Sequence, residues 1–262
     1  MLSTAAAPAS PVEQLLEVLG DLRDQIGGPY YLDAVDGRLA WPDRGVYFFF
    51  SPASNLRARP PANWRLSRIG TVGVSQGSSN TLWNRLRQHR GSIQGKYAGG
   101  GNHRGSIFRL HVGRALIEKH GWHDQYPHWG EQNPDPETTA VREQEHELEQ
   151  RVSEYVRDLP FLWVDVPGDP GPESDRAQIE ANTIAMVSHY RRTAGPSDLD
   201  WLGYHSPKSE VYQSGLWNIR HVSELFDPTV IDLLSEYVSS TSALEHQSRI
   251  CGGETSSRSE NS

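Results

Sequence analysis

Apolar positions recur along the chain with two different periods, and these periods predict strands and helices in alternation. A helical period runs from Val12 to Ile26 and ends at Gly27 and Gly28, which predicts an N-terminal packing helix. Three short runs rich in β-branched and aromatic residues predict strands, at 45–50, 66–74 and 161–166. Further helical patterns follow the second strand and surround the third, at about 81–91, 107–117, 137–158, 173–192 and 228–238.

This order predicts an α/β fold, with a small, mostly antiparallel three-stranded sheet flanked by helices and with helical additions at both ends. We divide the chain into an N-terminal helical extension (1–42), a core domain (43–222), a C-terminal helix (223–240) and a disordered tail (241–262). The loop at 51–63 is longer than a hairpin needs, so we expect it to lie over the site or the substrate.

Composition narrows the class of protein. The chain has 262 residues and a mean hydropathy of −0.62, with eight Trp and ten Tyr, which is enough for one substantial core. Its single cysteine, Cys251, lies in the polar tail and has no internal partner, which fits a reducing, cytoplasmic compartment. No run is apolar enough to predict a membrane span.

Charge is distributed unevenly along the chain. The formal net charge is −8, yet thirteen of the 25 Lys and Arg residues and one of the 33 Asp and Glu residues lie between Arg44 and Lys119. That segment therefore carries +12 and the remainder −20. A concentration of arginine on one segment is typical of phosphate recognition, although a solvated basic face has the same composition.

The second strand leads through a small-residue turn into a short basic helix. On this helix Arg85 and His89 are one turn apart, so a guanidinium and an imidazole share a face. A glycine-rich loop at 95–106 follows, and it contains His103. Its glycines allow backbone amides to approach a ligand closely.

Glu180 is the most informative acidic residue. Apolar residues occupy the positions that share its helical face, so the carboxylate is predicted on the apolar side of its own helix. Burying a carboxylate there requires a compensating cation. A bound Mg²⁺ or Mn²⁺ would compensate it, and a salt bridge to Arg85 or Arg68 is the alternative.

Two short motifs add a family resemblance. The run Gly45-Val46-Tyr47 precedes Arg68-Ile69-Gly70, and these are followed by the helix with Arg85 and by Glu180. Together they resemble the GIY-YIG nuclease family, in which a Gly-Ile-Tyr strand pairs with a Tyr-Ile-Gly strand. Arg68 stands where that family has its second tyrosine.

The resemblance implies roles for individual residues. In the family, a helix after the two strands carries an essential arginine and a later glutamate holds the metal. It follows that Tyr47 would assist the attacking water, Arg85 would clamp the phosphate, and Glu180 would bind one Mg²⁺ or Mn²⁺ ion. We expect Arg68 to act as a cation that favours the phenolate form of Tyr47.

Three more residues complete the predicted catalytic set. His89 or His103 would orient a phosphate or relay a proton, and Asn218 corresponds to the asparagine that the family places late in the domain. Four basic residues of the arginine helix and the following loop are predicted to bind the substrate: Arg87, Arg90, Lys96 and Arg104.

The predicted function is therefore a metal-dependent endonuclease that hydrolyses nucleic acid, with DNA a better match than RNA. Because the second tyrosine is missing, a nucleic-acid-binding protein of the same fold without catalytic activity is the alternative. The long acidic helix and the polar tail leave an interaction or assembly protein as a third class.

Overall fold

The computed structural model describes residues 9–52, 64–134, 137–194 and 200–245. Within these residues, three strands form one sheet: β1 (Gly45–Pro52), β2 (Trp64–Thr71) and β3 (Phe161–Asp165). The described residues also form eight α-helices: α1 (Pro11–Ile26), α2 (Leu82–Arg90), α3 (Ile107–His120), α4 (Thr138–Gln144), α5 (His146–Arg157), α6 (Asp175–Ala194), α7 (Ser209–Ser214) and α8 (Val230–Ser240). Two short 3₁₀ helices lie at His103–Gly105 and Leu202–His205.

The sheet is antiparallel throughout, in the order β2-β1-β3. The central strand β1 is therefore flanked on both sides, and its apolar residues are almost fully buried. Tyr30, just after α1, adds an isolated bridge to Phe161 at the start of β3. This arrangement confirms the predicted α/β fold with a small antiparallel sheet.

Helices pack on the sheet in two groups. Side chains of Tyr47 and Phe49 point to the same face of β1, where Phe49 contacts Phe108 of α3 and both rings contact His89 of α2. The helices α1, α6 and α8 contact one another, and each also contacts at least one strand. The terminal helices thus share the main hydrophobic core.

Two predicted elements differ from the structure. The second strand was expected to reach residue 74, but β2 ends at Thr71 because Gly73 adopts a left-handed conformation with φ of 70°. The single helix expected at 137–158 is divided into α4 and α5, which meet at Glu145.

Arg176, at the start of α6, holds the ends of β2 and β3 together. Its side chain is fully buried and donates to the carbonyl oxygens of Val72 and Gly73 after β2 and to those of four residues after β3. This clamp fixes α6 relative to the sheet.

No helix in the described ranges combines the length and the apolar character needed to cross a bilayer. The predicted overlying loop and most of the predicted tail lie outside the described residues, at 53–63 and from 246 onward.

Candidate active site

A pocket of about 640 Å³ lies among β1, β2, α2, the first half of α6 and the segment 218–221. More than a hundred positions separate Tyr47 from Glu180 along the chain. The structure nevertheless brings six of the seven residues predicted to be catalytic to this one pocket: Tyr47, Arg68, Arg85, His89, Glu180 and Asn218.

Two glycines allow the strands to approach closely around Tyr47. Tyr47 pairs with Gly70 across β1 and β2, and a Cβ atom at Gly70 would lie 2.2 Å from the phenol oxygen. At Gly45, a Cβ atom would lie 2.3 Å from the carbonyl oxygen of Val164 on β3. Any larger residue would push the strands apart or displace the phenol. Steric crowding therefore explains why both motif positions are occupied by glycine.

A chain of hydrogen bonds leads away from the phenol. Tyr47 Oη lies 2.8 Å from Nε2 of His89, and His89 Nδ1 lies 2.8 Å from Oγ of Ser106. All three residues are buried. Ser106 also caps α3, because its Oγ accepts from the backbone N–H of Arg109. A proton that leaves the phenol therefore has an acceptor in neutral His89.

Burial dominates the ionisation of both rings. It raises the pKa of Tyr47, and the positive charges of Arg68 and Arg85 offset only part of that increase. Arg68 thus acts in the expected direction but does not bring the pKa of Tyr47 below its ordinary value. Burial, reinforced by the same two arginines, holds the pKa of His89 well below 6.5. Both rings are therefore neutral near pH 7.

Arg68 and Arg85 bring positive charge to the pocket from different elements. Arg68 Nη1 donates to the carbonyl oxygen of Trp217 at 2.8 Å, and Arg85 Nη1 donates to Oε1 of Gln88 at 3.1 Å. Neither guanidinium forms an ion pair with an acidic residue in the described part of the chain. An anionic ligand such as a phosphate would compensate both charges.

Glu180 faces the pocket from α6 and remains partly exposed. Burial raises the pKa of its carboxyl, while Arg68, His221, Arg85 and the backbone amide of Thr71 act in the opposite direction. The alternative of a direct salt bridge to Arg68 or Arg85 is not formed.

This environment fits a hydrated divalent ion. One carboxylate supplies a hard oxygen ligand, and Mg²⁺ typically keeps several waters and binds substrate phosphates besides one or two carboxylates. Within the residues that the structure describes, no group of three or more His, Cys, Asp or Glu side chains forms a cage made only of protein ligands. Glu180 therefore suits a metal that is shared with a phosphate substrate.

Asn218 has both ends of its side chain engaged with β2. Its Oδ1 accepts from the backbone N–H of Ile69 at 3.1 Å, and its Nδ2 donates to the Ile69 carbonyl oxygen at 2.8 Å. The side chain is buried. Asn218 thus fixes the strand that carries Arg68, and it lines the pocket without a free polar atom.

His103 is the predicted catalytic residue that the structure does not bring to the pocket. Its Nδ1 lies 3.0 Å from Oε1 of Glu149, its Nε2 accepts from the backbone N–H of Gly130, and its ring stacks on Trp129. Glu149 also pairs with the buried Arg109. The expected role of His103 at the phosphate is therefore not supported, because both ring nitrogens are used inside a structural network.

The predicted substrate-binding residues have different surroundings. Arg104 forms a two-pronged, largely buried ion pair with Glu145, and buried Arg90 donates to the Val35 carbonyl oxygen. These two arginines are committed to the fold and are not placed to contact a phosphate. Lys96 is exposed but pairs with Glu143, whereas Arg87 is exposed on α2 and does not line the pocket.

Sequence reasoning missed three residues at or behind the pocket. Ser106 extends the hydrogen-bond chain from His89, and Arg220 and His221 line the pocket beyond Asn218. The serine before an apolar helical run was a recognisable N-cap signal. No local pattern indicated the other two, since a loop brings them to the pocket.

Comparison with known families places the chain in a family. A family model described as GIY-YIG domain matches residues 7–244, which is nearly the whole described chain. The match includes α1 and α8 as well as the sheet. Comparisons with curated proteins and with solved structures give no match.

Proposed function

Since this chain belongs to the GIY-YIG domain family, a nuclease family, we propose that its pocket hydrolyses phosphodiester bonds of nucleic acid, with DNA as the expected substrate. The observation that carries the proposal is the meeting of Tyr47, Arg68, Arg85 and Glu180 around one pocket. Phosphodiester hydrolysis needs a proton acceptor, cationic groups for the charge on the phosphoryl oxygens, and a ligand for a divalent ion.

The phosphate would lie between the two guanidiniums. Arg68 and Arg85 have no acidic partner in the described chain, so both can donate to non-bridging phosphate oxygens. Arg68 is partly fixed by its hydrogen bond to Trp217, and Arg85 is the more adaptable of the two because its contact is an exposed one to Gln88. Charge that grows on the phosphoryl oxygens during attack would then be stabilised from two sides.

The attacking water would lose its proton towards Tyr47. Tyr47 Oη would accept that proton while its own proton moves to Nε2 of His89, to which it is already hydrogen bonded. In the same step the water oxygen forms a bond to phosphorus, and the bond between phosphorus and the leaving sugar oxygen breaks. The leaving oxygen takes a proton from solvent, and the extra proton on His89 returns through Tyr47 to solvent, so both rings end neutral. Glu180 would hold a divalent ion, and that ion would supply positive charge to the reacting phosphate.

The first test is cleavage by the purified full chain. We expect cleavage of at least one member of a panel of linear, nicked and branched DNA and RNA in the presence of Mg²⁺ or Mn²⁺, and none in EDTA. Glu180→Gln and Arg85→Ala should each lower the rate at least about 100-fold, because each removes a group that stabilises the transition state. Thermal unfolding should stay close to that of the wild type.

Arg38→Ala is the matched control. Arg38 is an exposed arginine that pairs with Asp36 outside the pocket, so its loss should leave the cleavage rate unchanged. Cleavage that persists in folded Glu180→Gln or Arg85→Ala protein would contradict the assigned roles.

The second candidate is a nucleic-acid-binding protein without catalytic activity, and Arg68 in place of the second tyrosine favours it. Under that function, binding to the same panel would persist in EDTA and no divalent ion would produce cleavage. Glu180→Gln would then leave the affinity for nucleic acid unchanged.

A further inference from the structure

His221 lies in an unusual backbone conformation at the edge of the pocket. Its φ of 63° is the one positive value among the non-glycine residues that the structure describes. Such conformations are uncommon for residues with a Cβ atom, and they persist where surrounding contacts hold them. Asn218 anchors the preceding segment to β2, and the Val222 carbonyl oxygen accepts from Ser188 Oγ at 2.6 Å. The loop is thus fixed on both sides of His221.

The imidazole is oriented by a carboxylate. His221 Nδ1 lies 2.8 Å from Oε2 of Glu224, so the second ring nitrogen, Nε2, is left for another partner. No described residue hydrogen bonds to that nitrogen. Histidines that bind metals usually donate their other N–H to a carboxylate, which fixes the ring and raises the basicity of the ligating nitrogen.

His221 and Glu180 share the pocket. Both residues line it, and His221 is among the groups that oppose the effect of burial on the pKa of Glu180. They do not form a direct ion pair with each other. The pocket is therefore lined both by a carboxylate and by an imidazole whose Nε2 has no hydrogen-bond partner among the described residues.

We propose that His221 Nε2 is a second protein ligand of the divalent ion, together with the Glu180 carboxylate, and that Glu224 orients it. This inference rests on the proposed function in so far as Glu180 is taken to hold the ion. An imidazole ligand favours first-row transition-metal ions, including Mn²⁺, Co²⁺ and Ni²⁺, over Mg²⁺, which prefers oxygen. The site should accordingly bind Mn²⁺ more tightly than Mg²⁺.

The test measures binding of Mn²⁺ alone to the full chain, by calorimetry and by pulsed electron paramagnetic resonance, which detects a directly bound nitrogen. The variant is His221→Gly, because glycine accepts the left-handed backbone and removes only the ring. We expect at least about a tenfold weaker Kd for Mn²⁺, loss of the nitrogen signal and little change for Mg²⁺. The melting temperature should be unchanged or higher, whereas a purely structural role predicts a lower one with unchanged Mn²⁺ binding.

His128→Gly is the matched control. His128 also places Nδ1 against a glutamate three residues later, Glu131, at 2.9 Å and with similar exposure, but it lies outside the pocket. Its loss should leave Mn²⁺ binding and the nitrogen signal unchanged.

Two outcomes separate this inference from the proposed function. If Glu180→Gln abolishes Mn²⁺ binding while His221→Gly preserves both affinity and nitrogen signal, the assignment of His221 is wrong and the proposed function stands. If Glu180→Gln also leaves Mn²⁺ binding unchanged, the metal site of the proposed function is itself wrong, and His221 loses its assignment with it.

Discussion

At the scale of single residues, burial shifts the pKa values of two neighbouring rings at the pocket in opposite directions. It raises the pKa of Tyr47 and lowers that of His89, so each ring is held in its neutral form. His111, one turn along α3 from Ile107 of the pocket, is also buried, and neither of its ring nitrogens has a hydrogen-bond partner in the described residues. Burial, with the charge of Arg68 next in size, lowers the pKa of His111 to about 4.

The low pKa of His111 predicts a specific dependence of stability on pH. In the unfolded chain a histidine titrates near pH 6.5, so between about pH 6.5 and 4 the unfolded state takes up a proton that folded His111 does not. The stability that neutral His111 contributes is fully present above pH 6.5. It is lost as the pH falls to 4, so the free energy of unfolding decreases over this range. Its size is on the order of 3 kcal/mol.

His111→Leu should reduce this loss. The variant should be at least as stable as the wild type at pH 7, because it replaces unpaired polar atoms by an apolar group of similar size. Urea unfolding at pH 7 and pH 4.5 measures the difference. His120→Leu, at the exposed end of the same helix, is the control and should keep the wild-type pH dependence. A wild-type pH dependence in His111→Leu would show that His111 is not the responsible group.

At the scale of elements, the site depends on the outer edge of β2. This strand lies at one side of the sheet, and the segment that follows α7 covers it. The backbone N–H of Trp217 donates to the Ser67 carbonyl oxygen at 2.7 Å, and the Asn218 side chain pairs with both backbone groups of Ile69. The Asn218 amide thereby satisfies edge-strand backbone groups as a neighbouring strand would. It also holds the β2 backbone next to Arg68, which lines the pocket.

Asn218→Ala should therefore destabilise the protein. The substitution leaves the backbone N–H and C=O of Ile69 without their partners in a buried place, at a cost of about 2–4 kcal/mol. Chemical denaturation measures this cost. Asn182→Ala is the control: its amide also makes two hydrogen bonds, but these are exposed, so the loss should be about 1 kcal/mol or less. Equal losses in the two variants would mean that Asn218 does not hold β2.

At the scale of the whole molecule, acidic helices neutralise part of the basic segment. Three of its cations pair with acids of the region 137–158: Lys96 with Glu143, Arg104 with Glu145, and Arg109 with Glu149. Burial alone would raise the pKa of Glu149, but the His103 hydrogen bond and the Arg109 charge outweigh it and hold that pKa at about 2. The local charge of +12 therefore overstates the charge that remains for a phosphate backbone.

Few phosphate contacts should make nucleic-acid binding weakly dependent on salt. The logarithm of the association constant falls with the logarithm of salt concentration by about 0.9 per phosphate contact on duplex DNA. With Arg68, Arg85, Arg87 and Arg220 available, we expect a slope of about −3 to −4 for Glu180→Gln protein, measured by fluorescence anisotropy. A slope near −10 would show that cations other than these four also bind phosphate.

The sequence predicted the architecture better than the surroundings of individual side chains. Periods of two and 3.6 identify strands and helices directly, and the two motifs placed Tyr47 near Arg85. The predicted position of His103 at the phosphate was wrong, because the sequence of a glycine-rich loop does not determine which way its histidine points. Contacts with Glu149 and Trp129 determine the orientation of this ring. His221 was missed because its left-handed backbone depends on anchors at distant positions.

The most direct test of the central claim is a crystal structure of the chain with Mn²⁺ and a nuclease-resistant phosphorothioate oligonucleotide, with Mn²⁺ located by anomalous scattering. We predict an anomalous peak bonded to the Glu180 carboxylate, with a phosphate between that ion and the guanidiniums of Arg68 and Arg85. A peak elsewhere, or a phosphate bound away from Tyr47, would contradict the assignment of this pocket as a nuclease centre.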